Sequence, residues 1–210
     1  MIRCLLYIGI LFGFASCSRN TPSLRPGDLL FQVGAKSEMS GAISSATGKN
    51  DSLNYTHVGI ALSVPGADSV LEATNDGGVR ITPLAEFLEG SARRDGHPLV
   101  TVMRLRDTTG VAVSIQKARM HLGQPYDYSY RPDNGKMYCS ELVWESYRRA
   151  DGQRIFTARP MNFRAPDGTM PDFWVELFDS LGESIPEGVP GTNPNDMARD
   201  AALEEVDRYF

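Results

Sequence analysis

The sequence predicts one α+β domain in which a small antiparallel sheet packs against helices. Three observations predict it: short apolar runs with strand character lie between residues 29 and 103, two of them joined by turn-forming residues; helical periodicity marks residues 111–121 and 140–150; and a chain of 210 residues has room for one domain. With 41% hydrophobic and 22% charged residues, the composition is that of a globular protein.

Pro26-Gly27-Asp28 is a turn launching a strand over Leu29–Val33, and a short helix is expected over Met39–Ala46. Tyr55–Leu62 alternates, with Val58, Ile60 and Leu62 on one face and His57, Gly59 and Ala61 on the other, a small-residue face with space for something to dock. Ser69–Ala73 and Val79–Thr82 read as strands joined by Thr74-Asn75-Asp76-Gly77-Gly78, so an antiparallel meander begins at His57. Leu84–Glu89 is helical, Leu99–Met103 a strand, and Val111–His121 a helix ending before Gly123. Ser140–Ala150 is a second clear helix, with Tyr147 and Ala150 on its apolar side and Glu145/Arg149 spaced as an i,i+4 pair. Beyond residue 150 the chain is rich in Pro and Gly, and the acidic stretch from Asp196 is expected to be helical.

Residues 1–16 read as an export leader: Arg3 supplies the positive start, and Leu5–Phe14 an apolar run too short to span a bilayer. The following Phe14-Ala15-Ser16-Cys17 resembles the lipobox of bacterial lipoproteins, apart from Phe14, where Leu is more usual. The resemblance implies cleavage before Cys17, acylation of that cysteine, a membrane anchor and a bacterial envelope location; a plain secretory cleavage is the alternative. Residues 17–24 then form a tether, and 25–210 the domain, whose Pro/Gly-rich extension starts near 151. A net charge of −5 with no Lys/Arg cluster excludes an ordinary nucleic-acid binder.

Of the three cysteines, Cys4 leaves with the leader and Cys17 is used by the lipid, so Cys139 is the lone thiol of the domain. It opens a helix, where unpaired N–H groups and the dipole favour a thiolate and can bind an oxyanion. By position alone it is equally a small buried hydrophobe. Among three histidines, His97 sits in a loop and His121 at a helix end, both with ordinary explanations. His57, mid-strand, is a base for the thiol or a satisfied semi-buried polar residue. Glu72, on the next strand, either orients His57 as a cross-strand neighbour about 5 Å away at Cβ or is an exposed edge carboxylate. Scattered histidines and one thiol lack metal-ligand spacing, and no cofactor loop is present.

Five stretches then carry a family resemblance: Arg25-Pro26-Gly27-Asp28-Leu29-Leu30-Phe31, Tyr55-Thr56-His57-Val58-Gly59-Ile60, Leu71-Glu72-Ala73 leading to Gly78-Val79, Gly123-Gln124-Pro125-Tyr126-Asp127, and Tyr138-Cys139-Ser140-Glu141-Leu142-Val143. In this order the chain resembles the permuted papain-like hydrolases of the NlpC/P60 superfamily, the YiiX/YebB-like group. The resemblance implies a circularly permuted papain-like domain with a small antiparallel sheet or barrel. It also implies Cys139 as nucleophile, His57 as general base and Glu72 as the third polar residue, with no cofactor. Tyr138 and Tyr126 fall in these motifs as candidate substrate-binding residues. Asp28 and Asp127 read as turn caps, Trp144 as core, and Glu141 as a carboxylate that opposes the thiolate if it points inward. The expected function is hydrolysis of an amide, a cell-wall peptide or related small substrate, by a monomer. The alternatives are a lipid acyltransferase or phospholipase using the same residues, and a binding lipoprotein without turnover.

Overall fold

Six antiparallel strands build the main sheet of the computed structural model, which describes residues 22–49, 53–62 and 68–210. In chain order they are β1 (Leu29–Gln32), β2 (His57–Ala61), β3 (Ser69–Thr74), β4 (Gly78–Pro83), β5 (Val100–Leu105) and β6 (Leu203–Arg208). Their order across the sheet is β6-β5-β1-β2-β3-β4, so it is open, with β6 and β4 at its edges, rather than a closed barrel. The leader, Cys17 and all but the end of the tether lie outside the described residues.

The centre of the sheet is apolar on both faces, as expected where both faces are covered. Leu29, Phe31, Val58, Ile60 and Leu71 face helices α3 (Val111–Arg119) and α4 (Cys139–Ser146), meeting Ala118, Leu142 and Val143. Leu30, Ala61, Val70, Val100 and Val102 face the other way and meet Phe87 of helix α2 (Leu84–Glu89). The small-residue face of β2 is therefore filled by α2. A Cβ on Gly59 would lie 2.3 Å from Val70 Cγ1 and 3.1 Å from Phe87 Cε2. A third cluster joins Ala42 of helix α1 (Glu38–Thr47) to Tyr130, Tyr138, Phe163 and to Trp174 and Phe178 of helix α5 (Asp172–Leu181).

Two expectations need correction. The helix that opens at Cys139 stops at Ser146, because Tyr147 turns extended (φ −83°, ψ 110°), donates its hydroxyl to Gly27 O at 2.9 Å, and leads into a turn at Asp151-Gly152. Arg149 is consequently off the helix, and Glu145 pairs instead with Arg148 (2.9 Å) and Arg154. The acidic stretch from Asp196 is helical only as the end of the short α6 (Pro194–Ala198). Residues Leu203–Arg208 then form edge strand β6, whose outward Glu204, Glu205 and Arg208 suit an unpaired sheet edge. Helix α5, within the Pro/Gly-rich extension, has its own signal in Trp174 and Phe178, one turn apart, with Gly182 as a left-handed cap (φ 66°).

Candidate active site

Cys139 is the first residue of α4, so it and the next two amides have no carbonyl one helical turn earlier to receive their N–H groups. The thiol is 5% exposed, at the wall of a cleft. His57, at the start of β2, bonds through Nε2 to Glu72 Oε2 at 2.6 Å and lies close enough to Cys139 for the sulfur to act on its titration. With Nε2 engaged by the carboxylate, Nδ1 is the ring nitrogen left for sulfur.

Glu72 reaches His57 diagonally. The pairing of Ile60 with Leu71 sets Glu72 level with Gly59, two residues from His57, so the two are not directly opposed as the sequence suggested. The diagonal is within reach of long side chains. Gly59 leaves the intervening position clear: a Cβ there would lie 3.6 Å from that of Glu72. The second oxygen of Glu72 accepts from Thr82 Oγ1 at 2.5 Å, and Arg80 Nε lies 3.8 Å from it. Thr82 and Arg80 were not singled out from the sequence, although both share a face of β4 with the carboxylate.

The electrostatics follow from burial and pairing. Burial opposes charge on His57, yet the nearby Cys139 sulfur and the Glu72 carboxylate outweigh that and push its pKa up to about 10. Glu72, only 3% exposed, is disfavoured as an anion by burial, but His57, Thr82 and Arg80 hold its pKa below the ordinary carboxylate value. The arrangement favours an imidazolium beside the Glu72 carboxylate. Glu141 does point inward, accepting from Tyr138 N at 3.3 Å, but burial, reinforced by Asp127 and Glu145, pushes its pKa up to about 8. It is mostly neutral at pH 7 and so adds little negative charge beside Cys139.

The cleft has two unlike halves. Beside His57 and Glu72 lies a polar cavity of about 360 Å³ edged by Lys36, Asp76, Arg80 and Glu86. Beside Cys139 lies a small cavity of about 60 Å³ walled by Tyr130, Tyr138, Phe163 and Trp174. Tyr126 borders both. Tyr138 caps α4, and its hydroxyl accepts from Thr192 N at 3.1 Å, while Thr192 Oγ1 donates to Ser140 Oγ at 3.1 Å. The extension thus closes one wall of the site.

Other candidates fall elsewhere. His121 Nδ1 contacts Gln124 Oε1 at 3.0 Å, and His97 is exposed in a two-residue ladder with Arg94. Asp127 caps its turn through Ser129 N and Arg131 N. Asp28 caps Arg25 N and also holds Arg104 through two bonds of 2.7 Å. Trp144 is partly buried against the core with Arg154 stacked on its ring. A residue that sequence reasoning missed is Asn195, fully buried, whose amide bonds both Tyr55 N (2.8 Å) and Tyr55 O (2.9 Å), fixing the chain two residues before His57. No pattern in the sequence links positions so far apart.

The model of the permuted papain-like amidase enzymes, the YaeF/YiiX or C92 family, matches residues 23–207. The chain belongs to this family. It is 31% identical over 165 residues to the uncharacterized protein YiiX of Escherichia coli K12, covering 76% of this chain and 74% of that protein. Protein OPG091 of monkeypox virus is 28% identical over 120 residues, 53% of this chain and 62% of its own length. The crystal structure of metalloprotein YiiX from Escherichia coli O157:H7 superposes with a TM-score of 0.69 at 27% identity, over 88% of this chain and 97% of that one. The fold is accordingly that of the permuted papain-like enzymes, and family membership supports an enzyme of cysteine-hydrolase type. Among the described residues of this chain, no three His, Cys, Asp or Glu side chains converge as a metal-ligand set.

Proposed function

We propose that this protein is an envelope cysteine hydrolase that cleaves an amide bond of a cell-wall peptide or related small amide, working as a monomer tethered through a lipid on Cys17. The observation that carries the reading is the chain of contacts from Cys139 to His57 to Glu72, with the thiol at a helix N-terminus.

The steps follow from that geometry. Cys139 Sγ attacks the carbonyl carbon, and the oxyanion is received by N–H groups of the first turn of α4. His57 gives its proton to the leaving nitrogen as the C–N bond breaks, leaving a thioester on Cys139. Water then adds to the thioester with His57 taking its proton, and expulsion of the thiolate releases the acid. Glu72 keeps the ring oriented and its charge balanced; Thr82 fixes Glu72 in turn.

The test is incubation of the protein with defined cell-wall peptides, with intact mass and free amino groups as readouts. A thioester adduct that forms on the protein but not on Cys139→Ala, with release of an amine, is expected. Adduct or amine release that persists in Cys139→Ala would sink the reading.

A further inference from the structure

We infer that the aromatic cavity beside Cys139 is the subsite for the acyl half of the substrate, and that it takes a compact apolar acyl group bearing a hydrogen-bond acceptor while refusing long fatty acyl chains. This rests on the proposed acyl-enzyme chemistry.

Proton transfer assigns the halves. His57 must reach the leaving nitrogen, so the leaving group lies on the side of His57 and Glu72, in the wide cavity edged by Lys36, Asp76, Arg80 and Glu86. The acyl group stays on sulfur and extends the other way, into the cavity that Cys139 itself borders.

Size then limits it. At roughly 10–15 Å³ per water-sized group, a cavity of about 60 Å³ holds about four to six such groups. That is the scale of an amino-acid side chain and far short of a membrane lipid's acyl chain. The wall does not yield cheaply, because its rings lock one another edge to face: Tyr130 to Trp174 at 5.6 Å and 87°, Phe163 to Trp174 at 5.1 Å and 89°, with Trp174 2% exposed.

Chemistry gives the acceptor. Trp174 Nε1 and Tyr130 Oη are buried without a hydrogen-bond partner, although both residues line the cavity. Tyr130 Oη lies within interaction range of the Tyr126 hydroxyl, though in no hydrogen bond of ordinary geometry, so Trp174 Nε1 is the clearer unpartnered donor of the two. Tyr138, by contrast, is already used by Thr192. Buried donors of this kind are uncommon, and indole N–H can only donate. A carbonyl or ether oxygen in the acyl group would satisfy them.

The experiment measures acylation of Cys139 by intact mass, using p-nitrophenyl esters of pentanoate, 4-oxopentanoate and palmitate with iodoacetamide as the small-probe control. Pentanoyl transfer at least tenfold faster than palmitoyl is expected, with 4-oxopentanoyl several-fold faster again and that last advantage lost in Trp174→Phe. Ala46→Trp, at the mouth of the cavity, is expected to slow pentanoyl transfer at least tenfold in a protein whose Cys139 still takes iodoacetamide. Palmitoyl transfer as fast as pentanoyl, or an unchanged rate in Ala46→Trp, overturns the subsite while leaving the acyl-enzyme intact. A Cys139 inert to every ester and to iodoacetamide overturns both.

Discussion

The two sides of the cleft are built by opposite means. On the strand side, His57, Glu72, Thr82 and Arg80 come from three adjacent strands within 26 residues, and two hydrogen bonds and one ion pair, all to Glu72, fix them. On the helix side, Tyr130, Tyr138, Phe163 and Trp174 come from loops and helices spread over the second half of the chain, and ring packing fixes them. Polar precision is local here and shape is long-range, so charge at the site and fit at the site are separately breakable.

The largest expected effect falls on neither side but between them: Cys139→Ala loses amide hydrolysis by roughly 10⁴-fold or more, measured as kcat/KM, with the fold retained by circular dichroism. Breaking the strand side comes next. Glu72→Gln lowers kcat by about 10²–10⁴-fold, and because the carboxylate no longer favours imidazolium, the alkaline limb of the pH–rate profile moves below the value near 10 set by His57.

Stability should show the same sign. His57 is raised from 6.5 to about 10, so its pairing contributes fully below pH 6.5 and fades as the pH climbs through 10. Glu72 is held below its ordinary 4.5, so its share fades as the medium turns acid. Thermal unfolding is expected to be most resistant between about pH 4.5 and 6.5 as far as this pair decides it, and His57→Gln flattens the alkaline decline.

The helix side is sharpened by smaller changes. Asn195→Ala leaves Tyr55 N and O unpaired in the core and costs about 1–3 kcal/mol in denaturant unfolding, with kcat falling because β2 loosens ahead of His57. Arg154→Ala removes the stack on Trp144 and the pairing with Glu145, both more than a turn along α4 from Cys139. It is expected to cost about 0.5–1 kcal/mol and to leave kcat/KM unchanged.

Legibility followed the same division. The meander from His57 to Thr82 could be read because alternation and turn residues are local signals, and the open antiparallel sheet agrees with it. The three residues of the contact chain were candidates by position, each with an ordinary alternative, and the order of the five family-like stretches implied their roles. The diagonal register of Glu72 was not legible, since sequence does not fix how two strands slide until a turn or a Gly such as Gly59 does so. The early stop of α4 was hidden because Tyr147 fits a helical stripe equally well; its hydroxyl partner, Gly27 O, is 120 residues away. Strand β6 was masked by its charges, which an edge tolerates. Helix α5 had a readable pattern, but its Pro- and Gly-rich surroundings weighed against it.

The bond from Tyr55 to Asn195 spans 140 positions. During synthesis at roughly 5–20 residues per second, a ribosome needs on the order of ten seconds to make that interval. The nucleophile, the base and the carboxylate are all translated before the segment that supplies Phe163, Trp174 and Asn195. Cys139 precedes Trp174 by 35 residues and Asn195 by 56, so for a few seconds of synthesis the thiol exists without the residues that wall it. The strand that carries His57 is thus held by a residue made 140 positions after Tyr55, and the site is complete only once the extension has been synthesised.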